Sequence, residues 1–222
     1  ENKPVVFNRT TETDLTEDQL PQVDIYKYKQ VIFVGDSRTE FMENVLTGMG
    51  ESATKNVKFV CSAGKGLDWF TTTGWAQLYS IVQHDSNSIL SKKTAVIFNF
   101  GVNDLSKSAD YAEYYNWIAP QLKSKGCELY FMSVNPVNRL MLPNAGRADR
   151  SEAAVRSFNQ YMKANLSSAY TYIDMYSYLK STGYSFASDH YGTGTVDDGL
   201  HYTTRTYKRI FAKCMDSLRV PA

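Results

Sequence analysis

Cysteine is scarce in this chain, and the few present form no pattern. Cys61, Cys127 and Cys214 are odd in number, lie far apart and include no Cys-x-x-Cys pair. Disulfide frameworks and structural zinc sites need paired, closely spaced ligands, so the sequence argues against both. Each cysteine lies in an apolar run, and we expect buried free thiols.

An excess of charge of one sign and long hydrophobic runs are lacking as well. The net charge is +1, from 24 basic and 23 acidic side chains. Such a balance gives no reason to expect nucleic acid or an anionic membrane surface as the main partner. No apolar run is long enough to span a bilayer, so the residues shown predict no membrane insertion.

Aromatic side chains, in contrast, are abundant, with 16 tyrosines, 11 phenylalanines and 3 tryptophans in 222 residues. That length fits a single domain with a sizeable core. A tyrosine-rich core and surface would account for most of these rings. The alternative is that Trp69 or Trp75 lines a site for sugar or acyl groups.

Residues 1–28 are polar, charged and interrupted by proline. We interpret them as a linker or surface arm that precedes one domain over residues 29–222. The sequence starts at Glu1 rather than methionine, which a removed signal peptide or anchor would explain. We therefore expect a secreted or cell-surface location in a bacterium.

Apolar, β-rich runs alternate with helical patterns along the remaining sequence. Strands are predicted at 30–35, 57–61, 94–100, 127–134 and 170–174, and helices at 38–48, 67–83, 108–124, 149–166 and 203–218. Several strand runs are apolar throughout, which is typical of strands buried on both faces of a parallel sheet. The alternation predicts a three-layer α/β/α fold around a doubly wound, five-stranded parallel sheet.

Small and polar residues follow the ends of the predicted strands. Ser37 comes after the first strand, Gly64 and Gly66 after the second, Asn103 after the third and Asn135 after the fourth. Ligands of open parallel sheets bind beyond the carboxyl ends of the strands. We therefore expect these residues along one functional edge.

Ser37 lies where the first strand turns into a helix. Gly35 permits a tight turn there, and the helix start offers free N–H groups. Two interpretations are open: a helix-capping serine, which is common at this position, or a nucleophile.

Asp198 and His201 lie three residues apart, just before the last predicted helix. This spacing lets the carboxylate reach the imidazole and fix its tautomer, with Asp197 as the competing acid. A turn aspartate and a helix-entry histidine are the alternative. Asn103 either donates to a developing oxyanion or closes a turn after the third strand.

In order and spacing, these blocks resemble the SGNH hydrolase superfamily, also called the GDSL family, over residues 30 to about 218. Residues 34–37 are similar to its first block. Residues 101–104 match the Gly-x-Asn-Asp block in full, and residues 198–201 match the Asp-x-x-His block. The resemblance implies the flavodoxin-like fold of that family.

Two positions depart from the family pattern or match it weakly. Arg38 stands in place of the usual leucine, and we favour a solvent-exposed arginine over a cation beside the nucleophile. The glycine block is matched best by Gly66, with Gly64 second. Because Trp69 stands where a dinucleotide motif would have its third glycine, we do not predict nucleotide binding.

The resemblance implies Ser37 as nucleophile, His201 as base and Asp198 as the acid that orients it. Asn103 and Gly66, with the Ser37 N–H, would form the oxyanion hole. No metal or organic cofactor is implied. The expected activity is a serine esterase acting on short acyl esters, in the first place O-acetyl groups of carbohydrate or cell-wall glycan. An O-acetyltransferase of the same fold and a non-catalytic glycan-binding module are the alternatives.

Overall fold

A computed structural model describes residues 13–24, 27–84, 93–188 and 197–218. The central sheet consists of β1 Tyr28–Gly35, β2 Val57–Cys61, β3 Lys93–Asn99, β4 Cys127–Met132 and β5 Tyr170–Ile173. The strand order is β2-β1-β3-β4-β5, and each neighbouring pair is parallel. The predicted five-stranded, doubly wound parallel sheet is therefore confirmed.

Helices follow the strands close to the predicted ranges. They are α1 Ser37–Met49, α2 Leu67–Trp69, α3 Trp75–His84, α4 Ser108–Lys123, α5 Glu152–Asn165, α6 Met175–Thr182 and α7 Thr204–Leu218. A wide π-helical turn, Phe70–Gly74, joins α2 to α3, so the one helix predicted at 67–83 is interrupted. Short 3₁₀ turns lie at Glu17–Gln19, Leu105–Lys107 and Leu142–Ala145.

Two short strands extend the predicted pattern near the carboxyl end of the sequence. β6 Phe186–Ser188 and β7 Asp197–Tyr202 pair antiparallel as a separate ribbon. The sequence analysis predicted no strand at residues 198–201, whereas the structure places them in β7. Pairing with β6 explains the difference, since β7 itself has a mixed polar sequence.

The core is divided by the sheet into two layers of packed side chains. On one face, Val31 and Phe33 of β1 pack with helices α1, α6 and α7. On the other face, Ile32 and Val34 pack with α3, α4 and α5. Burial of each such side chain stabilises the fold by about 1.5–3 kcal/mol, and it holds both helix layers at fixed heights above the sheet. The strand ends therefore form a rigid platform.

The aromatic rings contribute mainly to this core. Trp69 and Trp75 are partly buried and pack against the cluster under α3–α5. The three cysteines are free; Cys127 and Cys214 are buried as expected, and Cys61 is half-buried.

The described part of the amino-terminal segment contacts the domain. Leu20 and Val23 are buried in the cluster beside α1 and α7, and Lys208 Nζ lies 2.9 Å from Asp14 Oδ1. Residues 1–12, 25 and 26 lie outside the described residues. In the ranges described, no helix combines the length and apolar character that a membrane span requires.

Candidate active site

The nucleophile candidate stands at the junction of β1 and α1. A Cβ on Gly35 would come within 2.0 Å of Thr39 Oγ1 and 2.9 Å of the Asn99 carbonyl oxygen, so the chain passes here only as glycine. Asp36 caps α1 by accepting the Arg38 N–H at 2.9 Å. Since the cap is Asp36, the hydroxyl of Ser37 is left for another partner.

That partner is His201. The distance from His201 Nε2 to Ser37 Oγ is 2.8 Å, and from His201 Nδ1 to Asp198 Oδ2 it is 2.6 Å. Asp198 Oδ1 also accepts the backbone N–H groups of Leu200 at 2.8 Å and of His201 at 2.7 Å. Ser37, Asp198 and His201 are each at most 5% exposed. Asp198 is a carboxylate that contacts the ring, as the sequence analysis expected.

The Asp198 carboxylate, which can only accept hydrogen bonds, fixes the tautomer of the His201 ring. A carboxylate at Nδ1 requires the proton there, so neutral His201 presents a lone pair at Nε2 to the Ser37 hydroxyl. Burial lowers the pKa of His201; the Asp198 hydrogen bond opposes this, and the charges of Arg38 and Arg147 add to the lowering. Burial raises the pKa of Asp198, but the hydrogen bond and charge of His201, together with the backbone N–H groups of Leu200 and His201, outweigh it, and the net pKa is lowered.

The prediction that Arg38 is exposed to solvent was wrong, and this is the main correction to the sequence analysis. The side chain is 3% exposed and lies beneath the site, with its guanidinium 5.1 Å from the centre of the Tyr202 ring. Its Nε donates to the Leu200 carbonyl at 2.9 Å, and its two Nη atoms donate to the carbonyls of Asn135 and Pro136, each at 2.7 Å.

These three bonds connect segments that are distant in sequence. Leu200 adjoins His201 in β7, while Asn135 and Pro136 follow β4. Burial without partners would be costly for both the cation and the carbonyls, and the fork of the guanidinium satisfies them together. Arg38 thus ties the segment that carries the imidazole to the helix that carries the hydroxyl.

Asn103 follows β3, and it therefore lies at the same edge of the parallel sheet as Ser37, which follows β1. Its Nδ2 donates to the Lys65 carbonyl at 2.8 Å, and its Oδ1 accepts from Arg150 Nη2 at 3.0 Å. An amide nitrogen has two N–H groups, so one remains for a ligand. That N–H is the group that the sequence analysis expected to donate to an oxyanion.

Gly66 is a glycine for reasons of space. A Cβ there would come 2.3 Å from Asp104 Oδ2, the same oxygen that accepts the Leu67 N–H at 2.8 Å. Tyr111 donates to the other Asp104 oxygen at 2.7 Å. Asp104, which the sequence analysis did not single out, thus fixes the start of α2.

The orientation of one peptide unit bears on which glycine faces the substrate. The Lys65 carbonyl points at the Asn103 amide, and in a trans peptide the following N–H points the opposite way. The Gly66 N–H is therefore directed away from that amide, and the choice between Gly66 and Gly64 stays a prediction. Gly64 has a φ of 70° and open space around its Cα.

Other expected or unforeseen residues are placed as follows. Arg147 Nη2 lies 3.6 Å from Asp198 Oδ2, whereas Arg139 is paired with Asp149 at 2.6 Å on the surface. Asn135 is buried at the expected edge. Arg147 and Arg150 gave no distinctive sequence signal, because arginines in polar loops are usually solvated.

Comparison with known proteins identifies the family. The model of the GDSL-like lipase/acylhydrolase family matches residues 31–214, most of the chain. The chain belongs to the GDSL-like lipase/acylhydrolase family. It is accordingly an ester hydrolase of the SGNH type, as the sequence blocks indicated. No curated protein matches it.

Solved structures share the fold of this GDSL-family protein at low sequence identity. A protein assigned as an SGNH hydrolase from Slackia heliotrinireducens has a TM-score of 0.56 and 11% identity, with 86% of this chain and 100% of the other covered. The acetyl xylan esterase AlAXEase has a TM-score of 0.52 and 12% identity, with 86% and 100% covered. A Streptococcus pneumonia protein assigned as a platelet activating factor has a TM-score of 0.53 and 16% identity, with 88% and 86% covered.

Proposed function

We propose that this GDSL-family enzyme is a serine esterase that removes short acyl groups, chiefly O-acetyl groups, from carbohydrate or cell-wall glycan. The observation that carries the proposal is the buried hydrogen-bonded series Ser37–His201–Asp198. A nucleophile, a base and an orienting carboxylate in this arrangement are the groups that acyl transfer through serine requires.

The reaction proceeds in two halves. Ser37 Oγ attacks the ester carbonyl carbon while its proton passes to His201 Nε2, and Asp198 stabilises the imidazolium. Nε2 then protonates the departing alcohol as the carbon–oxygen ester bond breaks, leaving acyl-Ser37. Water gives a proton to Nε2 and attacks the acyl carbon, and the same proton returns to Ser37 Oγ as the carboxylic acid leaves.

The oxyanion of each tetrahedral intermediate needs fixed donors. We assign these to the Ser37 N–H at the start of α1, the second N–H of Asn103 Nδ2 and the N–H of Gly66 or Gly64. Donors of this kind contribute about 10²–10³ in turnover each.

Two observations support a short acyl group on a glycan. Ser37 is only 5% exposed, so a slender group reaches Oγ more easily than a bulky one. The acetyl xylan esterase that shares the fold makes acetylated polysaccharide the first natural substrate to test. A secreted or cell-surface location, if established, would agree with such a substrate.

Trapping the acyl-enzyme tests the proposal. The native enzyme should turn over p-nitrophenyl acetate and carry an acetyl or phosphonate adduct on Ser37 by peptide mass spectrometry. Ser37→Ala should lack both, while a variant of the exposed serine that follows the last residue of α4, Ser124→Ala, should retain both. Absence of turnover and adduct in the native enzyme would refute the esterase.

Acyl length and acceptor are measured with the same preparation. p-Nitrophenyl acetate should be preferred to the octanoate by at least about tenfold in kcat/KM, and acetylated xylan should release free acetate. Acetyl appearing on an added sugar, in preference to water, would instead identify an acetyltransferase.

A further inference from the structure

Arg150 holds the segment that carries the Asn103 amide. It lies two residues before α5, and all three of its guanidinium nitrogens are used. Nε donates to the Val102 carbonyl at 2.7 Å, Nη2 to Asn103 Oδ1 at 3.0 Å and Nη1 to the Ala148 carbonyl at 2.9 Å. One side chain thus binds both the backbone beside Asn103 and its amide oxygen.

The chemistry of the two partners leaves the Asn103 amide a single orientation. A guanidinium is only a donor, so it requires Oδ1 on its side. The Lys65 carbonyl is only an acceptor, so it requires Nδ2 on the other. Rotation of the amide by 180° would break both contacts and turn an oxygen lone pair toward the acyl oxygen.

Two other asparagines are held without such a device. Asn159 is bound on both sides by the backbone of Val134, and Asn116 by the backbone of Asn165 and Ser167. At Asn103, the amide oxygen is instead held by a charged, half-buried side chain from a different loop. That arrangement makes the orientation of the Asn103 amide depend on one residue.

We propose that Arg150 is a positioning residue for the oxyanion hole, which acts by fixing the Asn103 amide so that its second N–H faces the acyl oxygen. The inference rests on the proposed function, because it concerns the same reaction. Arg150 itself contacts no reacting atom: its three nitrogens are bound to protein oxygens.

A double-mutant cycle tests this inference. Asn103→Ala should lower kcat for p-nitrophenyl acetate by about 10²–10³-fold. Arg150→Met should lower kcat by about 10–100-fold with KM changed less than about threefold, since a transition-state contact is affected. In the Asn103→Ala background, Arg150→Met should cost less than about threefold, because the group it positions is gone. Fully additive losses would overturn the inference.

Two further variants separate positioning from charge and from folding. Arg139→Met removes one positive charge from the same loop without touching Asn103, and should keep native kcat. Arg150→Lys keeps the charge and should fold, but a lysine cannot hold Val102 and Asn103 together, so kcat should stay within about threefold of Arg150→Met. Native kcat in Arg150→Lys would show that charge suffices and would overturn the inference.

Failure here is distinguishable from failure of the proposed function. An enzyme that labels at Ser37 and turns over ester, yet shows additive losses in the cycle, refutes only the role of Arg150. An enzyme that neither labels nor turns over ester refutes the esterase itself.

Discussion

The two sides of the candidate site are held by arginines in different settings. On the side of the base, Arg38 is 3% exposed and joins the strand of His201 to the helix of Ser37 through backbone carbonyls. On the oxyanion side, Arg150 is half-buried and holds Asn103 through a side-chain contact at 3.0 Å. The first arrangement is buried in the core, and the second is partly exposed to solvent.

The difference follows from what each side has to do. Proton transfer between serine and histidine needs fixed distances and little water, and burial in a low dielectric provides both. An oxyanion donor must keep an unused N–H open toward substrate, so it cannot be enclosed in the same way. We therefore expect substitutions on the buried side of the base to lower both stability and rate, and substitutions on the oxyanion side to lower mainly the rate.

The largest effect is expected for Asp198→Asn. The two backbone N–H groups of Leu200 and His201 would keep the amide oxygen of the substituted side chain on their side, so its NH₂ group would face His201 Nδ1. The proton would then move to Nε2, which could no longer accept from Ser37. We expect kcat to fall about 10³–10⁴-fold, measured with p-nitrophenyl acetate.

A matched control is Asp174→Asn. Asp174 caps α6 on the surface by accepting the Ser177 N–H at 3.1 Å, and asparagine caps equally well. If Asp174→Asn keeps native kcat while Asp198→Asn loses it, the loss of kcat is due to the altered tautomer of His201. A loss below tenfold in Asp198→Asn would contradict the orienting role.

A smaller loss of rate, with a large loss of stability, is expected for Arg38→Met. The buried carbonyls of Leu200, Asn135 and Pro136 would lose their donors, each at a cost of about 1–3 kcal/mol. Urea unfolding should report a free energy of unfolding lower by at least about 3 kcal/mol. Displacement of His201 relative to Ser37 should lower kcat by about 10²-fold.

Arg209→Met separates the two consequences. Like Arg38, Arg209 donates to a backbone carbonyl: its Nη1 lies 2.8 Å from the carbonyl oxygen of Gly183, the residue that follows α6. It should lose stability and keep native kcat. If Arg38→Met does not fold, kcat is measured instead in Arg38→Lys, which keeps the charge and can keep one of the three hydrogen bonds. Native kcat in folded Arg38 variants would show that His201 needs no such support.

Arg38 also shows why part of the site was not predictable from sequence. The strands were found because their apolar runs are continuous, and the parallel edge then brings Ser37 and Asn103 together. The partners of Arg38 lie 97 and more residues away, and only the closed fold supplies their carbonyls. Composition alone assigns an arginine to the surface.

The elements that were missed share a related cause. α6 is eight residues long, and β6 Phe186–Ser188 has three. Segments this short carry too few apolar positions for a periodic signal, and tertiary pairing decides their structure. The role of Arg150 was not predicted for the same reason, because its partner Asn103 lies 47 residues away in the sequence.

The smallest effect is expected in the pH profile. Burial lowers the pKa of His201; Asp198 opposes this, and Arg38 and Arg147 lower it further. The base must be neutral, so kcat/KM should rise with pH through a midpoint below the ordinary histidine value of about 6.5.

Arg147→Met removes one of the two cations that disfavour the imidazolium, so the midpoint should move to higher pH. Arg147 Nη2 lies 3.6 Å from Asp198 Oδ2 and the side chain is partly exposed, so a small shift is expected. Arg139→Met, on the surface of the same loop, should leave the midpoint unchanged. A shift to lower pH in Arg147→Met would mean that Arg147 acts chiefly by holding Asp198 in place, because loss of a well-placed carboxylate destabilises the imidazolium. The direction of the shift therefore decides whether Arg147 acts by repelling the charge of the His201 imidazolium or by holding the Asp198 carboxylate in position.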